Sequence, residues 1–344
     1  MSTDVRTQPT GVAGAGASRA SAARGWLDAR SRFLPVVATF VLFVAMFAAG
    51  SLRHENFGSP QVFANLFIDN AYLVVLAVGV TFVILTGGID LSVASVLALS
   101  AMVAAASLEA GWSAPLVVVA VLVLGAVFGT LQGLVIHFFQ IQPFIVTLAG
   151  LFLARGLCYV ISVDAIAIAD PTFRAVASAY FVLPGTSVGV TPNVLVAVAV
   201  VLVAVVLLHL TRFGRTVYAV GGGESSATLM GLPVARAKVG AYAISGLCAA
   251  ISGLLFSFYS LSGYSLTALG GELDAIAAVV IGGTLLSGGV GFVLGSLLGV
   301  LVLGTIQTLI SFEGTLSSWW TKIFVGALLL LFVVLQRVLV RRRS

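Results

Sequence analysis

Charge is what this sequence has least of: Asp, Glu, Lys and Arg together make up 8% of its 344 residues. Soluble domains carry about 25%, and so few charges cannot cover a water-facing surface. Lys238 and Lys322 are the only lysines. A phosphate-binding loop needs Gly-x-x-x-x-Gly-Lys followed by Ser or Thr, and neither lysine has that context. The histidines, His54, His137 and His209, are scattered rather than set at metal-ligand spacing. The two cysteines, Cys158 and Cys248, both fall in apolar runs, so they read as small packing residues and not as a disulfide framework. The pattern of a nucleophile elbow occurs at Gly185-Thr-Ser187-Val-Gly189, but it follows Pro184 in a connection without the required strand and helix. The chain is therefore not read as an enzyme, and no cofactor or metal is implied.

Apolar length is what it does have. The sequence is 60% hydrophobic, with a mean hydropathy of +1.16. A membrane helix takes about 20 apolar residues, and only helices and closed barrels satisfy their backbone in lipid. Barrel strands alternate apolar and polar residues, and runs such as Leu195 to Leu208 do not. The expected fold is all-α, a polytopic membrane protein of about ten crossing helices. The runs are 33–50, 66–86, 93–108, 115–137, 143–162, 193–210, 239–260, 275–287, 290–310 and 318–337. The run 275–287 is too short to cross alone and reads as half of a broken helix. Residues 1–32 are expected to be a disordered cytoplasmic tail, 33–338 the membrane domain, and 339–344 a basic cytoplasmic tail.

The pI of 9.6 comes from where the cations sit, and it points to membrane orientation rather than nucleic acid. With the N-terminus in the cytoplasm, the inside segments hold Arg6, Arg19, Arg24, Arg30, Arg32, Arg212, Arg215, Arg236, Lys238, Arg337, Arg341, Arg342 and Arg343. The outside loops are mostly acidic, with Glu55, Glu109, Asp164, Asp170, Glu272, Asp274 and Glu313. Both termini and 211–238 are then cytoplasmic, and 163–192 external.

Two faint internal repeats compete. Gly125 to Gly133 resembles Gly291 to Gly299, in helices expected to cross in opposite directions. Leu85-Thr-Gly-Gly-Ile89 resembles Leu286-Ser-Gly-Gly-Val290. Glycines four apart at 125, 129 and 133, and at 291, 295 and 299, make flat stripes suited to close helix packing.

Several polar residues interrupt the apolar runs. Thr86-Gly-Gly-Ile-Asp90-Leu-Ser92 reads either as a capped loop or as a broken-helix element facing a translocation path. Asp90 suits hydroxyl donors and not an anion. Arg155 lies inside a run, with Tyr159 one turn on. A buried cation in a membrane marks function or structural pairing, and Glu272 and Asp274 are its candidate partners. Asn70, Gln132 and Gln307 serve either as interhelical glue or as contacts for a neutral polyol. On the inside loop 211–238, Glu224 to Met230 reads as a short helix with an acidic start, small Ala227 at its centre and Gly231 ending it, leaving Leu232 exposed. Such a helix can dock into a groove of a soluble partner.

At these residues the sequence resembles the sugar permeases of the ribose/galactose/xylose branch of bacterial ABC importers, over roughly residues 33–338. Thr81 to Val93 looks like that family's signature, Glu224 to Leu232 is similar to its ATPase-docking segment, and Gly271 to Gly289 to a third signature. Gly263-Tyr264, the Glu272 to Ala277 run and Glu313 to Lys322 look like a permease subunit of a galactofuranose importer. Pro233, the N-terminal tail and the loop 163–192 depart from it. The resemblance implies an inner-membrane subunit with an ABC ATPase, a second permease subunit (a heterodimer), a periplasmic binding protein and a monosaccharide as partners. The docking residues would be Glu224, Ala227, Gly231 and Leu232. An ion-coupled secondary sugar transporter would also explain Asp90 and Arg155, but not the docking segment.

Overall fold

The computed structural model of the chain describes residues 33–182, 185, 188–315, 317 and 319–341. The N-terminal tail and Ser187 lie outside the described residues. Thirteen α-helices form among the described residues, and eight of them are long and apolar enough to cross a membrane. The chain is a multi-pass helical membrane protein.

In chain order the helices are α1 (Leu34–Arg53), α2 (Pro60–Leu85), α3 (Val93–Glu109), α4 (Ala114–Phe138) and α5 (Pro143–Ile161). An excursion follows, with β1 (Ile166–Ala167), α6 (Pro171–Ser178), β2 (Phe181–Val182) and β3 (Gly189–Val190). Then come α7 (Pro192–Val205) with a π-helical end (Val206–Leu210), α8 (Arg212–Gly222), α9 (Glu224–Leu229) and α10 (Val234–Ser260). The chain closes with β4 (Ser262–Gly263), α11 (Gly271–Ile281), α12 (Val293–Glu313) and α13 (Trp319–Arg341).

Proline punctuates the starts: Pro35, Pro60, Pro115, Pro143, Pro171 and Pro192 sit in first turns, where the absent N–H has no helical partner to lose. The apolar runs and the helices agree closely, with three corrections. α2 begins at Pro60, ahead of the apolar run, because the Ser59 hydroxyl caps it by accepting from the Val62 N–H and Pro60 opens its first turn. α11 ends at Ile281, because Gly283 (φ +92°), Gly288 (φ +85°) and Gly289 (φ +76°) take left-handed conformations. α13 continues to Arg341, so the stretch 339–344 begins helical; residues 342–344 lie outside the described residues.

Gly125, Gly129 and Gly133 of α4 lie against α10. A Cβ on Gly129 would collide with the Tyr242 carbonyl oxygen, and one on Gly133 would come within 2.8 Å of Val239 Cα. Backbone approach of this kind gives dispersion contact that larger residues forbid. Gly295 and Gly299 of α12 pack likewise on Gly282 and Ala278. Gly291 is not part of that stripe, because it precedes the helix and faces Thr284.

Contacts sort the chain ends onto two rims. On one, Arg53 pairs with Glu313 at 2.9 Å, β1 pairs with β4, and the Gly189 N–H donates to Gln61. On the other, Phe33 stacks on Phe292, Gly289 N–H donates to the Leu85 carbonyl, and the Tyr218 hydroxyl donates to the Gly291 carbonyl. α8 and α9 lie on this second rim, with Arg212, Arg215, Arg236 and Lys238.

Candidate translocation cavity and docking helix

A cavity of about 690 Å³ opens at the first rim between α2, α10, α11, α12 and α13. That is within the usual range of small-molecule sites, about 300–1,000 Å³. α2 contributes Asn65, Asp69 and Asn70; α10 contributes Phe256 and Tyr259; α11 contributes Asp274; α12 contributes Gln307, Thr308 and Ser311; α13 contributes Trp319 and Lys322. The Tyr259 hydroxyl donates to Asp69 at 3.4 Å, and Lys322 pairs with Asp274 at 2.6 Å. Asn70 is buried, and its amide N–H₂ donates to the Leu66 carbonyl. It sits where Gly304 lets α12 come close: a Cβ there would be 2.6 Å from Asn70 Nδ2. The lining thus offers carboxylates, amides, hydroxyls and aromatic faces, with its one lysine already paired.

Asn70, Asp274 and Gln307 are brought together here. The other polar residues singled out in the sequence are elsewhere. Asp90, Ser92 and Gln132 form a separate buried cluster. Asp90 accepts from the Ser92 N–H at 2.9 Å, the Ser92 hydroxyl at 2.7 Å and the Ser245 hydroxyl of α10 at 2.8 Å. Ser92 Oγ also lies 3.1 Å from Gln132 Oε1 on α4. The carboxylate does take hydroxyl donors, but they belong to the protein. The cluster ties the α2–α3 turn to α4 and α10.

Arg155 reaches out of α5 to the loop after α10, donating to the Ser265 carbonyl and, at 3.0 Å, to the Thr267 carbonyl. Its hydrogen bonds go to backbone oxygens, while Glu272 lies near enough to interact with its charge and Asp274 pairs with Lys322 instead. Tyr159 lies on the exposed outer face of α5 and does not line the cavity. Asp69, Tyr259 and Lys322 are cavity residues that sequence reasoning missed. Asp69 carried a usable signal, a carboxylate inside an apolar run beside Asn70. Tyr259 and Lys322 sit at helix ends and carried none.

On the second rim, α9 is only six residues long, closed by Gly231 in the left-handed conformation (φ +71°). The expected docking residues divide. Ala227 is fully buried against the membrane domain, and Leu232 turns inward onto the core. Glu224 is held by Lys238 at 2.6 Å. The apolar surface left free is Leu229, 89% exposed, and Met230, 66% exposed, beside Gly231. The exposed tip is therefore one turn earlier than the sequence suggested, because the Gly231 turn redirects the chain before Leu232.

Residues 62–333 match the family model described as "Branched-chain amino acid transport system / permease component". The chain belongs to this permease family. The permease is 46% identical over 307 residues to the inner membrane ABC transporter permease protein YjfF of Escherichia coli K12, covering 89% of this chain and 92% of that one. It is 42% identical to the fructose import permease protein FruG of Bifidobacterium longum, over 89% and 91% of the two chains. It is 35% identical to the ribose import permease protein RbsC of Escherichia coli K12, over 87% and 92%. No solved structure matches. Family membership makes the chain an ABC permease subunit, a transport component without an ATPase site of its own.

Proposed function

We propose that this permease forms the translocation path for a monosaccharide in an ATP-driven importer, with galactofuranose or a related sugar as substrate. The observation that carries the reading is the cavity lining. Neutral polyols are held by carboxylates, amides and hydroxyls against aromatic faces, and Asp69, Asn70, Gln307, Tyr259 and Trp319 supply that set. The family description names branched-chain amino acids, whose carboxylate needs a free cation. Lys322 is already taken by Asp274, which leaves the described cavity lining without a free cation for that carboxylate. Similarity to fructose and ribose import permeases favours a sugar as well. An ABC ATPase would dock at α9, a periplasmic binding protein would deliver the sugar to the first rim, and a second, different permease subunit would complete the path.

Uptake of labelled galactose, fructose, ribose and leucine into vesicles holding the assembled complex tests this. A sugar should accumulate with ATP and leucine should not. Asp69→Asn and Gln307→Ala should each weaken sugar uptake by about 1–2 kcal/mol in kcat/KM, the worth of one or two hydrogen bonds. Leucine uptake, or sugar uptake indifferent to both changes, would sink the reading.

The basic second rim is proposed to be cytoplasmic. Cysteines placed at the exposed Ser178 and Ser226 should then label with an impermeant reagent from opposite sides, Ser178 from outside. Labelling of both from one side would contradict the two-rim arrangement.

A further inference from the structure

The two glycine pairs that repeat in the sequence meet in space. Gly87-Gly88 ends α2, and Gly288-Gly289 lies in the loop after α11, both at the second rim. A third pair, Gly221-Gly222, ends α8 immediately before α9. The contacts are backbone on backbone. Gly289 N–H donates to the Leu85 carbonyl at 3.0 Å. A Cβ on Gly288 would come within 2.7 Å of Gly87 N and 3.0 Å of Gly221 Cα. One on Gly289 would come within 2.8 Å of Gly222 N, and one on Gly221 would strike the Leu85 carbonyl oxygen and Gly289 N.

The loop after α11 is closed on itself, with Leu285 N–H donating to Val290 O and Gly288 N–H to Leu285 O, each at 2.9 Å. It is therefore a single hydrogen-bonded unit. Tyr218 of α8 fastens it, its hydroxyl donating to the Gly291 carbonyl at 2.7 Å. Burial pushes the Tyr218 phenol up to about 12, so it keeps the proton that this bond needs.

We propose that this three-way glycine junction is the mechanical link between the docking helix and the cavity, with Tyr218 and Gly221 as its positioning residues. The proposal rests on the reading of α9 as the ATPase-docking element. α9 follows Gly221 by three residues, so a displacement of α9 reaches α8's end directly. From there the nearest atoms it meets are main chain, at Leu85 and Gly289. Side chains can change rotamer and absorb a shift, whereas packed backbones transmit it. The two elements pushed are the ends of α2 and α11. α2 runs unbroken from Leu85 back to Asn70 and Asp69, and α11 from Ile281 back to Asp274. Each helix thus joins the junction at one end to the cavity lining at the other.

The test uses the complete importer in vesicles, with labelled galactose, fructose and ribose supplied as a mixture. Gly221→Ala adds a methyl where there is no room. Gly222→Ala is the matched control, since nothing lies within 4 Å of its Cβ position. Tyr218→Phe removes only the hydroxyl. Coupling free energies between sites correspond to roughly 5–150-fold effects. Gly221→Ala should lower uptake per assembled complex by about tenfold or more, and Tyr218→Phe by about fivefold. The ATPase should still co-purify in both, its hydrolysis no longer stimulated by sugar and binding protein, while Gly222→Ala behaves as wild type. If Gly221→Ala fails to assemble, Tyr218→Phe, which adds no atom, carries the test. Normal coupled uptake in Tyr218→Phe, or loss of ATPase binding in Tyr218→Phe or in a Gly221→Ala permease that is itself folded, overturns the junction as a link. The docking reading is judged separately by whether Gly231→Asp releases the ATPase.

Discussion

Asp90→Ala is expected to remove most of the assembled permease from the membrane, while Asp90→Asn leaves the fold in place. The carboxylate accepts from the Ser92 N–H, the Ser92 hydroxyl and the Ser245 hydroxyl, in a site with no water access. An orphaned buried donor costs about 1–3 kcal/mol. The two hydroxyls can rotate toward other acceptors, Gln132 for Ser92 and a helix carbonyl for Ser245, but the Ser92 N–H cannot. Alanine also leaves a gap between the α2–α3 turn and α10. The combined loss is about 2–4 kcal/mol, a large share of the 5–15 kcal/mol that holds a typical protein folded. Asparagine keeps one oxygen for Ser92 and can donate to Ser245, so most of the network survives. Detergent-extracted complex, counted by size-exclusion and by its thermal midpoint, separates these outcomes. If Asp90→Ala assembles normally and fails only in uptake, Asp90 acts in transport and the packing argument is wrong.

That expectation differs from what the motif alone suggested, and the difference shows what sequence could carry. The helices were legible because apolar length is a one-dimensional property. The shortness of the run 275–287 already implied the half helix that α11 turns out to be. The glycine stripe of α4 was legible because four-residue spacing fixes a helix face, although not which helix would lie on it. Positive φ at Gly231 followed from a glycine closing a short acidic-start helix.

Partners were not legible. Arg155 binds carbonyls, and a backbone oxygen has no sequence signature. Asp90 was read as accepting hydroxyls, which it does, but whether those hydroxyls belong to substrate or to Ser92 and Ser245 depends on how α3 meets α10. The cavity set divides the same way. Asn70 and Gln307 stood out as polar atoms in apolar runs, whereas Lys322, four residues into α13, matters through its distance to Asp274, 48 positions earlier. The two weak repeats were ambiguous as patterns. In space one pair, Gly87-Gly88 with Gly288-Gly289, comes into contact, and the other serves two unrelated helix interfaces.

Gly231→Asp is expected to detach the ATPase while leaving the permease inserted. Gly231 sits at φ +71° with nothing within 4 Å of its Cβ position, so an added side chain meets no clash. Aspartate is among the residues that tolerate the left-handed region, so the turn itself should hold at a modest cost in strain. What changes is the surface. The new carboxylate would stand beside Leu229 and Met230, the exposed apolar pair at the end of α9. If those side chains fill an apolar groove of the ATPase, the charge must be buried unpaired or the groove must open, and either costs several kcal/mol. Co-purification should fall by tenfold or more, the equivalent of at least about 1.4 kcal/mol, and sugar-stimulated ATP hydrolysis should fall with it. Leu229→Asp should do the same from the neighbouring position. Ala227 and Leu232 serve as contrasts, since both face the permease: Leu232→Ala should lower its stability without selectively releasing the ATPase. Retention of the ATPase by both aspartate variants would place the docking contact on another part of the second rim.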